Sequence, residues 1–176
     1  MENIEQRKIE KYTEINEIKY QDYIEEWEKT GEKIVPSTTN RKQLSFEGLM
    51  KKWAMEETGE VYKLGFVPST LYYFIENNQK IIGAIHFRHE LNEMLLHHGG
   101  HIGYGIRPSE RRKGYATIML KQLLLKIKEK GYRKVLLTCN DDNPGSIGTI
   151  LNCNGVLEDK VEFEGTIIRR YWINNE

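Results

Sequence analysis

Cysteine is nearly absent from this 176-residue chain: only Cys139 and Cys153 occur. They form no metal-spaced pair, and two thiols cannot build the disulfide framework of a small secreted domain. Long apolar runs are missing as well. The longest unbroken one, Leu71 to Ile75, has five residues, far below the ~20 that a membrane-spanning helix needs. The first residues, Met-Glu-Asn-Ile-Glu-Gln-Arg-Lys, contain no apolar core of a secretory signal. Net charge is also lacking, because 26 basic residues balance 26 acidic ones. That removes the broad positive field of a general nucleic-acid binder. A cytoplasmic protein with no membrane and no nucleic-acid partner is expected.

What the chain does have suits a packed core. Apolar residues make up 39%, and ten Tyr, five Phe and three Trp argue against disorder. The length suits one domain over 1–176. Residues 1–60 are charged and helix-prone. Apolar positions Ile15, Ile18, Tyr23, Ile24 and Trp27 predict an amphipathic helix over about 17–29, stopped by Gly31. Turn chemistry fills 35–40, and a second helix fits Phe46 to Glu57, with Phe46, Leu49, Met50 and Trp53 on one face.

From about residue 70 the texture becomes β-rich. Leu71–Glu76 and Lys80–Arg88 flank the turn Asn77-Asn78-Gln79. His101–Arg107 alternates with period two and is closed by Pro108. Tyr115–Lys130 is the clearest helix, with Ala116, Leu120, Leu123, Leu124 and Ile127 as its stripe, lysines in its last turn and Gly131 as its C-cap. Lys134–Cys139 reads as a central strand. Asn143-Pro144 has the order of an N-cap and first helical residue, opening a helix to about Cys153. Val156–Phe163 and Thr166–Ile173 make a closing hairpin, a candidate pairing edge for a homodimer. One more strand fits near Lys8–Ile15. The sum is an α/β domain with a mixed sheet flanked by helices.

Chemistry concentrates between the strand ending at Ile106 and the helix starting at Tyr115. The first turn of a helix carries N–H groups without partners and a partial positive charge. Such an end is suited to phosphate or pyrophosphate. Gly114 permits close backbone approach, small Ala116 does not obstruct it, and Arg111, Arg112 and Lys113 add attraction. There is no Walker sequence, and Gly103-x-Gly105 lies inside a strand and lacks the third glycine of a dinucleotide fingerprint.

The run Arg111-Arg112-Lys113-Gly114-Tyr115-Ala116, preceded by Ile106-Arg107-Pro108, resembles the hallmark Gln/Arg-x-x-Gly-x-Gly/Ala of the GCN5-related N-acetyltransferase (GNAT) superfamily. Asn143 with Ser146 resembles a second feature of that family. The likeness covers about 70–174. It implies a mostly antiparallel sheet of six to seven strands in which the fourth and fifth splay apart. It further implies acetyl-CoA as co-substrate, its pyrophosphate on the amides of Arg111 to Ala116 with the Thr117 hydroxyl beside them. The pantetheine would run along the strand ending at Ile106, with Asn143 and Ser146 on the coenzyme arm. The helical portion over 1–60 would then border the acceptor, a small-molecule or peptide amine, and 70–174 would hold the coenzyme. Two positions depart from the pattern. Arg112 replaces a common glycine, and Ile150 stands where the family often has a tyrosine acid. A non-catalytic acyl-CoA-binding module on the same fold is the alternative.

All five histidines, His86, His89, His97, His98 and His101, fall within sixteen residues. Amine acetylation needs a neutral nucleophile, and imidazole is tuned to take the ammonium proton. His101 and His89, at strand ends beside the expected cleft, are the candidate bases. Glu90 and Glu93 compete with them, and Tyr104 is a polar lining residue. His97-x3-His101 has helical ligand spacing, but Gly99-Gly100 opposes a helix there, so no metal is expected.

Overall fold

The computed structural model describes residues 6–176. Residues 1–5, where the sequence shows no secretory core, lie outside the described residues. Strand β1 (Arg7–Lys11) leads through a 3-10 turn into α1 (Glu17–Thr30) and α2 (Phe46–Glu56). β2 (Ser69–Glu76), β3 (Lys80–Arg88), the short helix α3 (Glu93–His97) and β4 (Ile102–Ile106) follow. Then come α4 (Tyr115–Glu129), β5 (Lys134–Asn140), α5 (Pro144–Asn152), β6 (Val156–Phe163) and β7 (Thr166–Asn174).

The seven strands form two sheets, β1-β2-β3-β4 and β5-β7-β6, and every ladder pairing is antiparallel. This is the mixed α/β architecture expected, split between the fourth and fifth strands. The extra strand near residue 8 is present but stops at Lys11, where the 3-10 turn Tyr12–Glu14 begins. Helix α3 was not anticipated. It has five residues, held by the Asn92 side chain capping the Leu95 amide at 2.9 Å.

Helix ends follow the local chemistry. Asn16 caps α1 at the Lys19 amide, Ser45 caps α2 at the Gly48 amide, and Gly31 ends α1 in the left-handed region. Asn77 and Asn78, both left-handed, close the β2–β3 hairpin in the primed-turn manner.

Two cores lie on opposite faces of the first sheet. Ile82, Ile85 and Phe87 pack with Leu120, Leu123 and Ile127 of α4. Leu71, Tyr73, Ile81 and Ala84 pack with Tyr23, Ile24 and Trp27 of α1 and Trp53 of α2. Ile81 and Ala84 can share a face despite odd spacing because the register shifts at Phe74/Ile75. Beyond that shift His86 and Arg88 follow the Ala84 face, under α2. Ile18 is 81% exposed, against expectation. It lies about half a turn from the stripe of Tyr20, Tyr23, Ile24 and Trp27, so the helix cannot bury both. No helix among the described residues is long and apolar enough to cross a membrane.

Candidate active site

Three hydrogen bonds join the start of β4 to β5. The Gly99 amide donates to Thr138 Oγ1 at 2.9 Å, and the His101 amide to the Leu136 carbonyl at 2.8 Å. The Leu136 amide returns a bond to His101 Nδ1 at 2.9 Å. Gly100 allows this approach: a Cβ there would stand 2.5 Å from the Leu136 carbonyl oxygen. Past this knot no ladder joins the two strands. Pairing with β3 uses the amides of odd-numbered β4 residues, as the Arg88–His101 and Ile82–Arg107 bonds require. Antiparallel alternation then turns the peptide groups of Tyr104 and Ile106 toward the gap before β5.

A cleft of about 690 Å³ opens at that gap. Its wall includes Ile106, the loop at Arg111 and Arg112, the first turn of α4 from Gly114 to Thr117, and the start of α5 at Asn143 and Ser146. Gly114 caps α4 with φ +78° and no side-chain capping bond, and the first α4 bond runs from the Ile118 amide to the Gly114 carbonyl at 3.3 Å. Among the described residues no hydrogen bond engages the amides of Arg112 to Thr117. The residues that carry these donors, Lys113 excepted, line the cavity at the positive end of a 15-residue helix. Asn143 Oδ1 caps α5 by accepting from the Ser146 amide at 3.0 Å. Ser146 Oγ in turn meets the Tyr104 hydroxyl at 2.8 Å across the wedge. Burial, opposed by the bond to Ser146, pushes the Tyr104 phenol well above its ordinary value, so it is protonated at neutral pH.

The loop is anchored from below. Arg107, only 4% exposed, binds Asp22 and Glu26 of α1 at 2.7 and 2.6 Å. Glu26 also accepts from the Ser109 amide at 2.6 Å. Despite partial burial, the Ser109 and Arg107 contacts hold its carboxyl below the usual range. Arg111 Nε donates to the Ile106 carbonyl at 3.1 Å, and its guanidinium lies over Trp27 and pairs with Glu32. Arg112, at φ +63°, makes no ion pair among the described residues. It lies toward α5, its Nη1 3.9 Å from where a Gly145 Cβ would stand.

Nine of the ten residues expected to hold the coenzyme line this one cleft. Lys113 does not; it pairs with Glu110 at 2.9 Å, which Lys80 also binds. Tyr115 lends its backbone while its ring packs against Phe74. Ile150 is fully buried and closes on Gly155, and its neighbour Thr149 reaches the cleft.

The two histidines expected as bases line neither of the main cavities. His101 is 8% exposed with Nδ1 committed to Leu136, and burial, with Arg88 nearby, lowers it to about 4. His89 Nε2 bonds Thr70 Oγ1 at 2.8 Å, its ring beside Phe87 on the α4 face. Among the described residues no group of three or more His, Cys, Asp or Glu could hold a metal ion. The residues missed by sequence reasoning are His86 and Arg88, which line a second cavity of about 310 Å³ under α2.

Comparison with solved structures places this fold among acetyltransferases. Ribosomal-protein-S5-alanine acetyltransferase from Vibrio fischeri aligns at a TM-score of 0.68 and 13% identity, over 97% of this chain and 94% of that one. The putative acetyltransferase yncA from Salmonella typhimurium, solved with its cofactor acetyl-CoA, aligns at 0.61 and 12%, over 97% and 95%. A chimera of spermidine N-acetyltransferase SpeG from Vibrio cholerae and hSSAT aligns at 0.61 and 14%, over 97% and 96%. No curated protein sequence matches significantly. The model of the acetyltransferase (GNAT) family does match, over residues 12–153. That stretch carries both the α4 cradle and the Asn143 cap, and the chain belongs to the acetyltransferase (GNAT) family.

Proposed function

We propose that this chain is an N-acetyltransferase that moves the acetyl group of acetyl-CoA directly to an amine. The observation that carries the reading is the row of unengaged amides from Arg112 to Thr117, facing a cleft continuous with the open edge of β4. The diphosphate sits on those amides, with Arg112 supplying further charge and the Thr117 hydroxyl at the same end. The amide arm extends along the peptide groups of Tyr104 and Ile106, as an added strand would. The thioester then lies in the wedge between β4 and β5.

The amine nitrogen attacks the thioester carbonyl carbon, a C–N bond forms, and the C–S bond breaks with its electron pair leaving on sulfur. The nitrogen's surplus proton passes to water. The thiolate takes a proton from the Tyr104 hydroxyl, which Ser146 holds in the wedge and burial keeps protonated, and water then returns the amine's proton to the tyrosinate. In this reading Tyr104 does from a strand what the buried Ile150 cannot do from the helix. Rate comes from holding amine and thioester together and from strand-edge N–H groups that stabilise the developing oxyanion.

Calorimetric titration of the full chain with acetyl-CoA, followed by thiol release across a panel of amines, tests the reading. Binding without turnover of any amine favours the non-catalytic module; absence of binding removes the proposal.

A further inference from the structure

The second cavity lies on the face of β3 opposite α4, beneath α2 and the 3-10 turn at Ser37–Thr39. Its wall is divided by chemistry. Val61, Leu64, Phe66 and Met94 supply an apolar side, and the β3 floor supplies His86 and Arg88. Two features of that floor are unusual for a resting protein. The Nε2 atom of His86 is buried with no hydrogen-bond partner among the described residues. Arg88 has no carboxylate partner among the described residues either: its Nη1 binds the Gly99 and Gly100 carbonyls at 2.9 and 3.1 Å, and nothing neutralises its charge. Buried charges are ordinarily paired, and buried polar atoms ordinarily bonded. Here one guanidinium and one imidazole are left open on the same cavity.

The other charges there do not fill the deficit. Glu56 is the only carboxylate of the wall, and it is already taken by Lys52 at 2.9 Å and the Thr38 hydroxyl at 2.7 Å. Lys42 adds a further positive charge. Such a cavity attracts an anionic group and repels a polycation.

We infer that this cavity receives the acetyl acceptor, and that the acceptor is a free amino acid with an apolar side chain. Its carboxylate lies on Arg88, its amine is at His86, and its side chain is against Phe66 and Met94. The inference rests on the proposed acetyl transfer and names its substrate class. His86 and Arg88 are two residues apart on one strand, so their side chains leave the same face about 7 Å apart. That span suits an amine and a carboxylate joined through a single carbon once each side chain's reach is included. His86 is directly opposite Gly103 on β4. The space that a Gly103 side chain would take holds the Arg88 guanidinium, its Nη2 3.5 Å from where that Cβ would stand, so the free charge lies over β4. A neutral imidazole accepts a hydrogen bond from the incoming amine, and burial together with Arg88 keeps His86 well below its ordinary value. A peptide N-terminus has no carboxylate next to its amine and would leave Arg88 unmatched.

The test uses the full chain with saturating acetyl-CoA. Thiol release is measured with L-leucine, L-methionine and L-phenylalanine, with leucinamide and with spermidine. Binding of each to the coenzyme-loaded protein is read by calorimetry. The expected result is turnover of the free amino acids, with leucinamide poorer in kcat/KM by about 30-fold or more, the usual effect of leaving one partner of a buried charge pair unmatched. In Arg88→Gln that preference collapses to within a few-fold while acetyl-CoA affinity is unchanged. Arg88→Lys, which keeps the charge, retains part of it. Leucinamide or spermidine matching leucine, or no binding of any apolar amino acid at millimolar concentration, overturns the inference while leaving acetyl transfer standing. Loss of acetyl-CoA binding in the wild-type protein would instead strike the underlying reading.

Discussion

The imidazole of His101 accepts the Leu136 amide proton at 2.9 Å, and this bond fastens β4 to β5 at the point from which they diverge. The ring is a rivet of the wedge, with its lone pair spent on the backbone. Its neutral form is favoured by burial and by Arg88.

His101→Ala therefore leaves the Leu136 amide without a partner and should cost about 1–3 kcal/mol at neutral pH. The pH dependence follows from the direction of the shift. A histidine held below its ordinary 6.5 binds its proton more readily when unfolded, so its contribution is whole above pH 6.5 and is lost as pH falls toward about 4. Denaturant titrations from pH 4 to 7 should show the variant missing that slope. The pH profile of kcat should keep its shape, and loss of its acidic limb would restore His101 as the base.

Gly114→Glu puts a carboxylate where the diphosphate is expected. A Cβ at Gly114 meets nothing within 4 Å, so the fold tolerates the side chain, at about 1 kcal/mol for a non-glycine residue at φ +78°. Acetyl-CoA affinity should fall at least about 100-fold, consistent with loss of several charge-assisted bonds. Calorimetry paired with a thermal melt separates this outcome from unfolding.

Tyr104→Phe removes only the hydroxyl bonded to Ser146. We expect stability to change by about 1 kcal/mol, kcat to fall by about 100-fold, as for loss of a positioned acid, and the KM for acetyl-CoA to stay within a few-fold. Unchanged kcat would remove Tyr104 from the mechanism.

Gly105→Ala probes the contact between β4 and the α1–α2 connection. Its Cβ would stand 2.1 Å from the Val35 carbonyl oxygen, a backbone atom that can yield only by moving the segment. A loss of about 1–3 kcal/mol is expected, in the range of overpacking, together with weaker acetyl-CoA binding, because Val35 borders the cleft.

Much of this site is legible in sequence because its parts are local. Gly114, the amides behind it and the Asn143 cap are read within a few residues of one another, and helix ends obey short-range rules. The cavity floor is different. His86 and Arg88 sit in a strand whose apolar alternation is interrupted by the register shift at Phe74/Ile75, so parity in sequence does not tell which core they face. Arg88 looks like an ordinary charged strand end until α2 and the Gly99–Gly100 carbonyls are brought over it. Helix α3 has no signature in the sequence, because five residues carry too little periodicity to stand out from loop. His101 and His89 lie one residue outside β4 and β3, and the partners that occupy them, Leu136 and Thr70, lie 35 and 19 residues away.

The connection between α1 and α2 borders both hollows: Val35 forms part of the coenzyme cleft, and Ser37 and Thr38 form part of the cavity over His86. A guest in either chamber presses on the same short ribbon of backbone. Were both chambers filled, each guest would alter the other's affinity by the same factor, a reciprocity that binding of either one in the presence of the other would reveal.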